Sequence, residues 1–242
     1  MKEDWRGKVA VITGAGGGIG TAVAKMLAEE GMKIVLLGGH NMSKLQETEA
    51  GIKGTAECCI IPGDLTKVSE LPDKLKKVEE IFGGIDVLIN NAGIALNCPL
   101  EETTEEQYDR IMNINAKAPY FLMKAALPYL RRSDSATVIN IASVVGHAGY
   151  PYQSAYAASK HALLGFTKSF AREVYKEGIR VHAVSPGGVY TDMVKVARPD
   201  LTPDGMIRPE EIAEIVQFLL KFRGNAVIDE VGVHRLSKEP FL

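Results

Sequence analysis

Cysteine is scarce in this chain: Cys58, Cys59 and Cys98 are the only three among 242 residues. Three thiols cannot build a disulfide framework, and their spacing matches no zinc site. No other grouping of histidine, cysteine and carboxylate has metal-ligand spacing, so no metal is expected. Cys58 and Cys59 are adjacent within an apolar run, which puts one on each side of a buried strand as structural thiols. An excess of one charge is missing too: 28 basic and 30 acidic residues leave a formal net charge of −2. That balance supplies no general pull toward nucleic acid or an anionic membrane. No apolar run reaches transmembrane length, and the polar start Met1-Lys-Glu-Asp-Trp-Arg6 carries no signal-peptide core. Internal repeats, low-complexity tracts and long linkers are also lacking. The expectation is one cytoplasmic domain, 1–242, with neither nucleic acid nor membrane as partner.

What is present is a regular alternation of short β-branched runs and longer amphipathic ones. The strands are expected at Val9–Thr13, Lys33–Leu37, Glu57–Ile61, Val87–Asn90, Thr137–Ile141, Val181–Val184 and Ala226–Val231. Each is nearly continuous in apolar residues, as for strands covered on both faces. Helices are expected over Thr21–Glu30, Ser43–Glu49, Leu65–Phe82, Thr104–Leu130, Ser154–Lys176 and Pro209–Leu220. Ser43 and Gln46 have capping-box spacing, and Pro209 stands where a first-turn proline belongs. The alternation predicts an α/β fold: a parallel sheet with helices on both faces.

Two features carry chemistry. The first strand runs into Thr13-Gly-Ala-Gly-Gly-Gly-Ile-Gly20, with a helix following. Glycines let the backbone turn tightly and approach a pyrophosphate, and the helix N-terminus offers its free N–H groups to that anion. The spacing is T-G-x-x-x-G-I-G rather than G-x-G-x-x-G. The second feature is Ser143 with Tyr156 and Lys160. Tyr156 and Lys160 stand four apart, so a helix raises both from one face. Ser143 closes the apolar run Val138–Ile141 beside that helix. A phenol is a poor base at neutral pH, with a pKa of about 10, and a fixed ammonium lowers it. With a hydroxyl to orient the substrate oxygen, the set suits proton transfer in alcohol–carbonyl interconversion.

Over almost its full length the chain resembles the short-chain dehydrogenase/reductase family. The resemblance rests on Thr13–Gly20, Asp64-Leu65, Asn90-Asn-Ala-Gly93, Asn115, Ser143, Tyr156-x-x-x-Lys160 and Pro186-Gly-Gly-Val-Tyr-Thr191, in the family's order and spacing. It implies a Rossmann-type, doubly wound, seven-stranded parallel sheet, a nicotinamide cofactor, a small-molecule carbonyl or alcohol substrate, and a homodimer or homotetramer. It further implies that Gly14, Gly18 and Ile19 line the pyrophosphate turn. Asp64 would bind the adenine amino group beside the Leu65 backbone, and Asn91 and Gly93 would lie along the cofactor. Val189 and Thr191 would meet the nicotinamide amide. Tyr156 would be the general acid in reduction and base in oxidation. Lys160 would hold the nicotinamide ribose, Ser143 would bind the substrate oxygen, and Asn115 would support a water relaying protons to Lys160.

Several points stay open in the sequence. Gly39 takes the place of the ribose-binding acid that favours NAD, and His40 stands where NADP-dependent relatives carry arginine, with Lys44 nearby. NADP is therefore expected, with NAD as the alternative. Pro119 lacks the N–H that would have bonded the Asn115 carbonyl, so the helix should kink there; the kink either frees that carbonyl for water or merely serves packing. Tyr150, Tyr152, Val189, Tyr190 and Met193 are candidate pocket walls for an apolar or mixed ketone, aldehyde or diketone. Two prolines and a glycine between Thr191 and Pro209 argue against a long lid helix. His147 reads either as pocket lining or as a solvated loop residue, and His161 and His182 as structural. The small residues Ala155, Ala158, Ala162 and Gly165 either pack on the sheet or pair with another copy. An NAD(P)-dependent oxidoreductase interconverting an alcohol and a carbonyl, of the carbonyl reductase kind, is the leading reading. A 3-oxoacyl-carrier-protein reductase would use Arg172, Lys195 and Arg198 at the entrance, and a silent NAD(P)-sensing regulator would be expected to lose part of the tyrosine–lysine set, which is intact here.

Overall fold

A computed structural model of the protein describes residues 4–39, 41–197 and 200–239. Its strands are β1 (Val9–Thr13), β2 (Lys33–Gly38), β3 (Cys58–Pro62), β4 (Val87–Asn90), β5 (Thr137–Ile141), β6 (Arg180–Pro186) and β7 (Glu230–Val233). They form one seven-stranded sheet in the order β3-β2-β1-β4-β5-β6-β7, with every adjacent pair parallel. Among the described residues the helices are α1 (Gly18–Glu29), α2 (Met42–Ile52), α3 (Leu71–Phe82), α4 (Glu105–Met112), α5 (Ala118–Leu130), α6 (Ser154–Val174), α7 (Asp192–Ala197) and α8 (Pro209–Lys221). The parallel sheet with helices on both faces is the one expected from the alternating pattern, and its doubly wound Rossmann-type arrangement is the one the family resemblance implies.

The two-residue period of a strand decides which helices cover which face. Ala10 and Ile12 pack with Val23 and Leu27 of α1 and Val216 and Leu219 of α8. Val9 and Val11 point the other way, onto Leu75 of α3, Leu122 of α5 and Val174 of α6. Both faces are thus apolar, and all of β1, β4 and β5 is buried. The connections leaving β1 and β4 diverge to opposite halves of the sheet. That switch point opens a crevice beyond the strands' carboxyl ends, where open α/β sheets bind ligands.

Some boundaries differ from the sequence expectation, each for a local reason. The last strand starts at Glu230, not Ala226. Before it, the Arg180 guanidinium takes the carbonyls of Phe222 and Gly224 at 2.9 and 2.6 Å, and His182 Nδ1 contacts Ile228 O at 2.6 Å. Side chains rather than a ladder hold that approach. Ser43 does not cap α2. Asn41 does, its Oδ1 accepting from the Lys44 N–H and from Ser43 Oγ, which spends the serine hydroxyl. The helix expected from Leu65 begins at Leu71, with Pro72 in its first turn. The long helix expected over Thr104–Leu130 is broken: α4 and α5 are joined by a π turn at Asn113–Lys117, where the Ala118 N–H bonds Asn113 O. The kink expected at Pro119 is this widened turn, which relieves the clash of the proline ring with the preceding turn.

Candidate active site

A cleft of about 560 Å³ runs along the crevice from the glycine turn to the start of α6, within the range of small-molecule sites. At one end, α1 begins with no side-chain cap and no acidic residue in its first turn. Its N–H groups and positive dipole end are left for an anion. At three of the glycines there the backbone has no room for a side chain. A Cβ on Gly14 (φ 64°) would lie 2.8 Å from Ala92 Cα, on Gly20 2.3 Å from Gly14 O, and on Gly18 2.7 Å from Thr191 Cγ2. The turn is fixed from β4. Thr13 Oγ1 accepts from the N–H groups of Asn91 and Ala92 at 2.9 and 3.0 Å, and Asn91 Nδ2 donates to the carbonyls of Thr13 and Gly14, both at 3.1 Å. A bare backbone cradle at an uncapped helix end suits a pyrophosphate, so the residues present fit a dinucleotide.

Eleven of the residues expected to hold the cofactor line this cleft: Gly14, Gly18, Ile19, Asp64, Leu65, Asn91, Gly93, Tyr156, Lys160, Val189 and Thr191. His40 lies outside the described residues. Asp64 Oδ1 accepts from Thr66 N–H and Oγ1 at 2.9 and 2.8 Å, which shapes the turn after β3. Among the described residues, no group of three or more His, Cys, Asp and Glu side chains could hold a metal.

At the other end the chemistry-bearing side chains converge. Tyr156 and Lys160 rise from the first turns of α6, and Ser143 follows β5. Ser143 and Tyr156 face the same cleft. Ser143 Oγ accepts from the Val145 N–H at 3.2 Å and donates to Pro186 O at 3.3 Å. Lys160 is 5% exposed. Its Nζ donates to Ile141 O at 2.9 Å and lies 5.8 Å from the centre of the Tyr156 ring. The electrostatics differ from the sequence expectation. Burial raises the Tyr156 phenol above its ordinary range, with the Ser143 hydroxyl opposing. Burial also depresses the Lys160 ammonium to about 8. Desolvation is the leading influence on both groups, and Tyr156 holds its proton at neutral pH.

Asn115 does not line the cleft. It is buried behind it, Oδ1 accepting from the Ile94 N–H and Nδ2 donating to Ile94 O, both at 2.9 Å, and to Ser159 Oγ at 3.0 Å. Ser159 Oγ in turn donates to Tyr156 O at 2.7 Å. The side chain therefore ties the Asn90–Gly93 turn to the helix carrying Tyr156. Asn115→Ala removes all three bonds and strands buried polar groups; a loss of about 2–4 kcal/mol in unfolding free energy is expected in urea titrations.

Of the expected pocket walls, Val189 and Met193 line the cleft, whereas Tyr150, Tyr152 and Tyr190 do not; Tyr152 is 60% exposed, at a left-handed φ of 64°. His147 is also exposed and outside it. Sequence reasoning missed the apolar contributors Ile94, Ile114 and Ile141, and an ion pair across the mouth. Lys44 of α2 reaches Asp192 at the start of α7, which Lys195 also approaches at 3.3 Å. These partners are 148 positions apart, beyond any local pattern.

Known proteins resemble this chain in sequence and in fold. The family model described as short chain dehydrogenase matches residues 8–202. The chain is 36% identical over 207 residues to the D-beta-hydroxybutyrate dehydrogenase of Rhizobium meliloti, covering 85% of this chain and 80% of that protein. It is 32% identical over 235 residues to a 3-oxoacyl-acyl-carrier-protein reductase of Thermotoga maritima, covering 93% and 95%. Among solved structures, an alcohol dehydrogenase from the archaeon Thermococcus sibiricus, complexed with 5-hydroxy-NADP, superposes with a TM-score of 0.87 at 30% identity, covering 96% of this chain and 98% of that one.

Proposed function

This chain belongs to the short-chain dehydrogenase family and is an oxidoreductase, and we propose that it interconverts an alcohol and a carbonyl on a small or medium substrate with NADP. The observation that carries this reading is one continuous cleft joining an anion-ready helix end to Ser143, Tyr156 and Lys160. When bound, the nicotinamide supplies or accepts the hydride. With substrate present, Ser143 turns its one proton from Pro186 O to the substrate oxygen and stabilises its developing charge. Tyr156 protonates that oxygen in reduction and deprotonates the alcohol in oxidation. Its proton is in place before reduction begins, and the same group takes a proton back in oxidation. Lys160 holds the ribose hydroxyls, and the Asn115 carbonyl in the π turn seats a water that relays protons to it.

The NADP preference is supported by the end of β2. Gly38, Gly39 and Asn41 line the cleft there with Lys44, and no carboxylate follows the strand before α2. Lys44 can exchange Asp192 for a 2′-phosphate. Lys44→Ala is expected to weaken NADPH binding about tenfold and NADH binding less than twofold, as measured by cofactor fluorescence titration. Equal losses for both would remove Lys44 from phosphate recognition.

The mixed lining favours ketones, aldehydes and diketones, and the named relatives act on hydroxybutyrate, oxoacyl thioesters and alcohols. NADPH and NADH oxidation over ketones, diketones, β-keto esters and acyl thioesters tests the assignment; tight cofactor binding without turnover of any of them would contradict it. We further assign a homodimer or homotetramer in the cytoplasm. Ala158 and Gly165 on α6 are exposed while Ala155 is buried, and Tyr120 stands edge-on to Phe166 at 5.6 Å beside them. This open small-residue face suits a second copy. Among the described residues, no helix is long and apolar enough to cross a membrane.

A further inference from the structure

Glu230 opens β7, outside the cleft, and has no part in the chemistry assigned above. Its Oε1 takes two partners. Ser185 Oγ of β6 donates to it, and His147 Nε2 lies 2.6 Å away. An ionised carboxylate only accepts, so His147 is the donor. These two partners bracket Ser143. His147 lies four residues beyond it, after the short turn Val144–Gly146 that Ser143 caps. Ser185 directly precedes Pro186, whose carbonyl accepts the Ser143 hydroxyl. A closed ring results: Ser143, its own turn, His147, Glu230, Ser185, Pro186, and back to Ser143.

We propose that Glu230 is the positioning residue for Ser143, locking its turn against the end of β6 so that the hydroxyl oxygen is held where its proton swings from Pro186 O to the substrate oxygen. Ser143's own hydrogen bonds are long, 3.2 and 3.3 Å, so they leave its direction loosely set. The ring sets it by fixing both backbone segments that contact the hydroxyl. Ser185 is 1% exposed and needs an acceptor, and Glu230 supplies it from the neighbouring strand. The His147–Glu230 contact is partly exposed, with side-chain exposures of 40% and 24%, and pairs of that kind add little stability. Its consequence is geometric: small displacements of a group acting on the reacting atom cost large factors in rate.

The inference rests on Ser143 being the donor to the substrate oxygen, and a double-mutant cycle separates the two claims. Full-length wild type, Glu230→Ala, Ser143→Ala and the double variant are assayed with NADPH on diacetyl, ethyl acetoacetate and benzaldehyde. NADPH binding is followed by fluorescence. Glu230→Ala should lower kcat about tenfold, with KM and NADPH affinity within about twofold. In the Ser143→Ala background, the same change should cost less than about twofold, because the group it positions is gone. Glu230→Gln keeps an oxygen acceptor for both partners and should recover most of the loss. Equal losses in both backgrounds, no loss in either, or a Gln variant as slow as the Ala one would overturn the proposal. If Ser143→Ala alone leaves kcat unchanged, the parent reading of Ser143 fails instead. Should Glu230→Ala not fold, Ser185→Ala enters the same cycle with the same expected non-additivity.

Discussion

Replacing Tyr156 by phenylalanine is expected to lower kcat about a thousandfold on every carbonyl tested while NADPH binding stays within about twofold. The change removes one oxygen. The ring that lines the cleft remains, as do Lys160 and its bond to Ile141 O. Ser143 keeps its contacts with Val145 and Pro186. Only the proton donor is gone, so the loss falls on the chemical step rather than on binding. The equilibrium constant of the reaction is untouched, so kcat/KM should fall by the same factor in reduction and in oxidation. Retained reduction, or a loss confined to KM, would reject Tyr156 as the acid.

The second large effect concerns Lys160. Lys160→Met is expected to lower kcat at least about a hundredfold and to change how stability depends on pH. The lysine gives up its proton near pH 8 in the folded chain and near pH 10.4 when unfolded. Between those values the unfolded chain binds more protons, so wild-type stability rises with pH through this window. Below about pH 8 both states are protonated, and the folded chain bears the full cost of the buried ammonium, about 3 kcal/mol. The methionine variant lacks this titration. Urea unfolding at pH 7 and pH 10.5 should therefore show wild type gaining about 3 kcal/mol relative to Lys160→Met. Parallel pH profiles for the two proteins would show that the ammonium is not desolvated. The cost is consistent with a site that trades stability for a charge inside the cleft.

What the sequence made legible follows from the range of each signal. The strands could be read because burial on both faces makes them continuous apolar runs, and the glycine turn because backbone crowding at Gly14 and Gly20 excludes side chains. Tyr156 and Lys160 could be paired because a helix fixes residues four apart on one face. Less legible was whatever depends on tertiary contact. The Asn115 side chain, for which the sequence named no partner, buttresses Ile94 and Ser159 from behind the cleft. The true start of β7 depends on Arg180 and His182 capturing the carbonyls before it. The Lys44–Asp192 pair and the Glu230 ring join residues far apart in the chain, with no period to announce them. The sign of the Tyr156 shift also eluded the sequence. It depends on how much water the fold removes from the phenol.

The most direct test of the central claim is the fate of a deuteride. NADPH deuterated at the transferring position of its nicotinamide is incubated with the protein and the best-reduced member of the ketone, diketone and aldehyde panel, and the product is analysed by mass spectrometry. A chain that reduces carbonyls through Ser143, Tyr156 and Lys160 yields an alcohol carrying a single deuterium on the former carbonyl carbon, and the Tyr156→Phe variant yields almost none. Tight NADPH binding with no labelled alcohol from any carbonyl, or equal labelling by the Tyr156→Phe variant, would contradict the account.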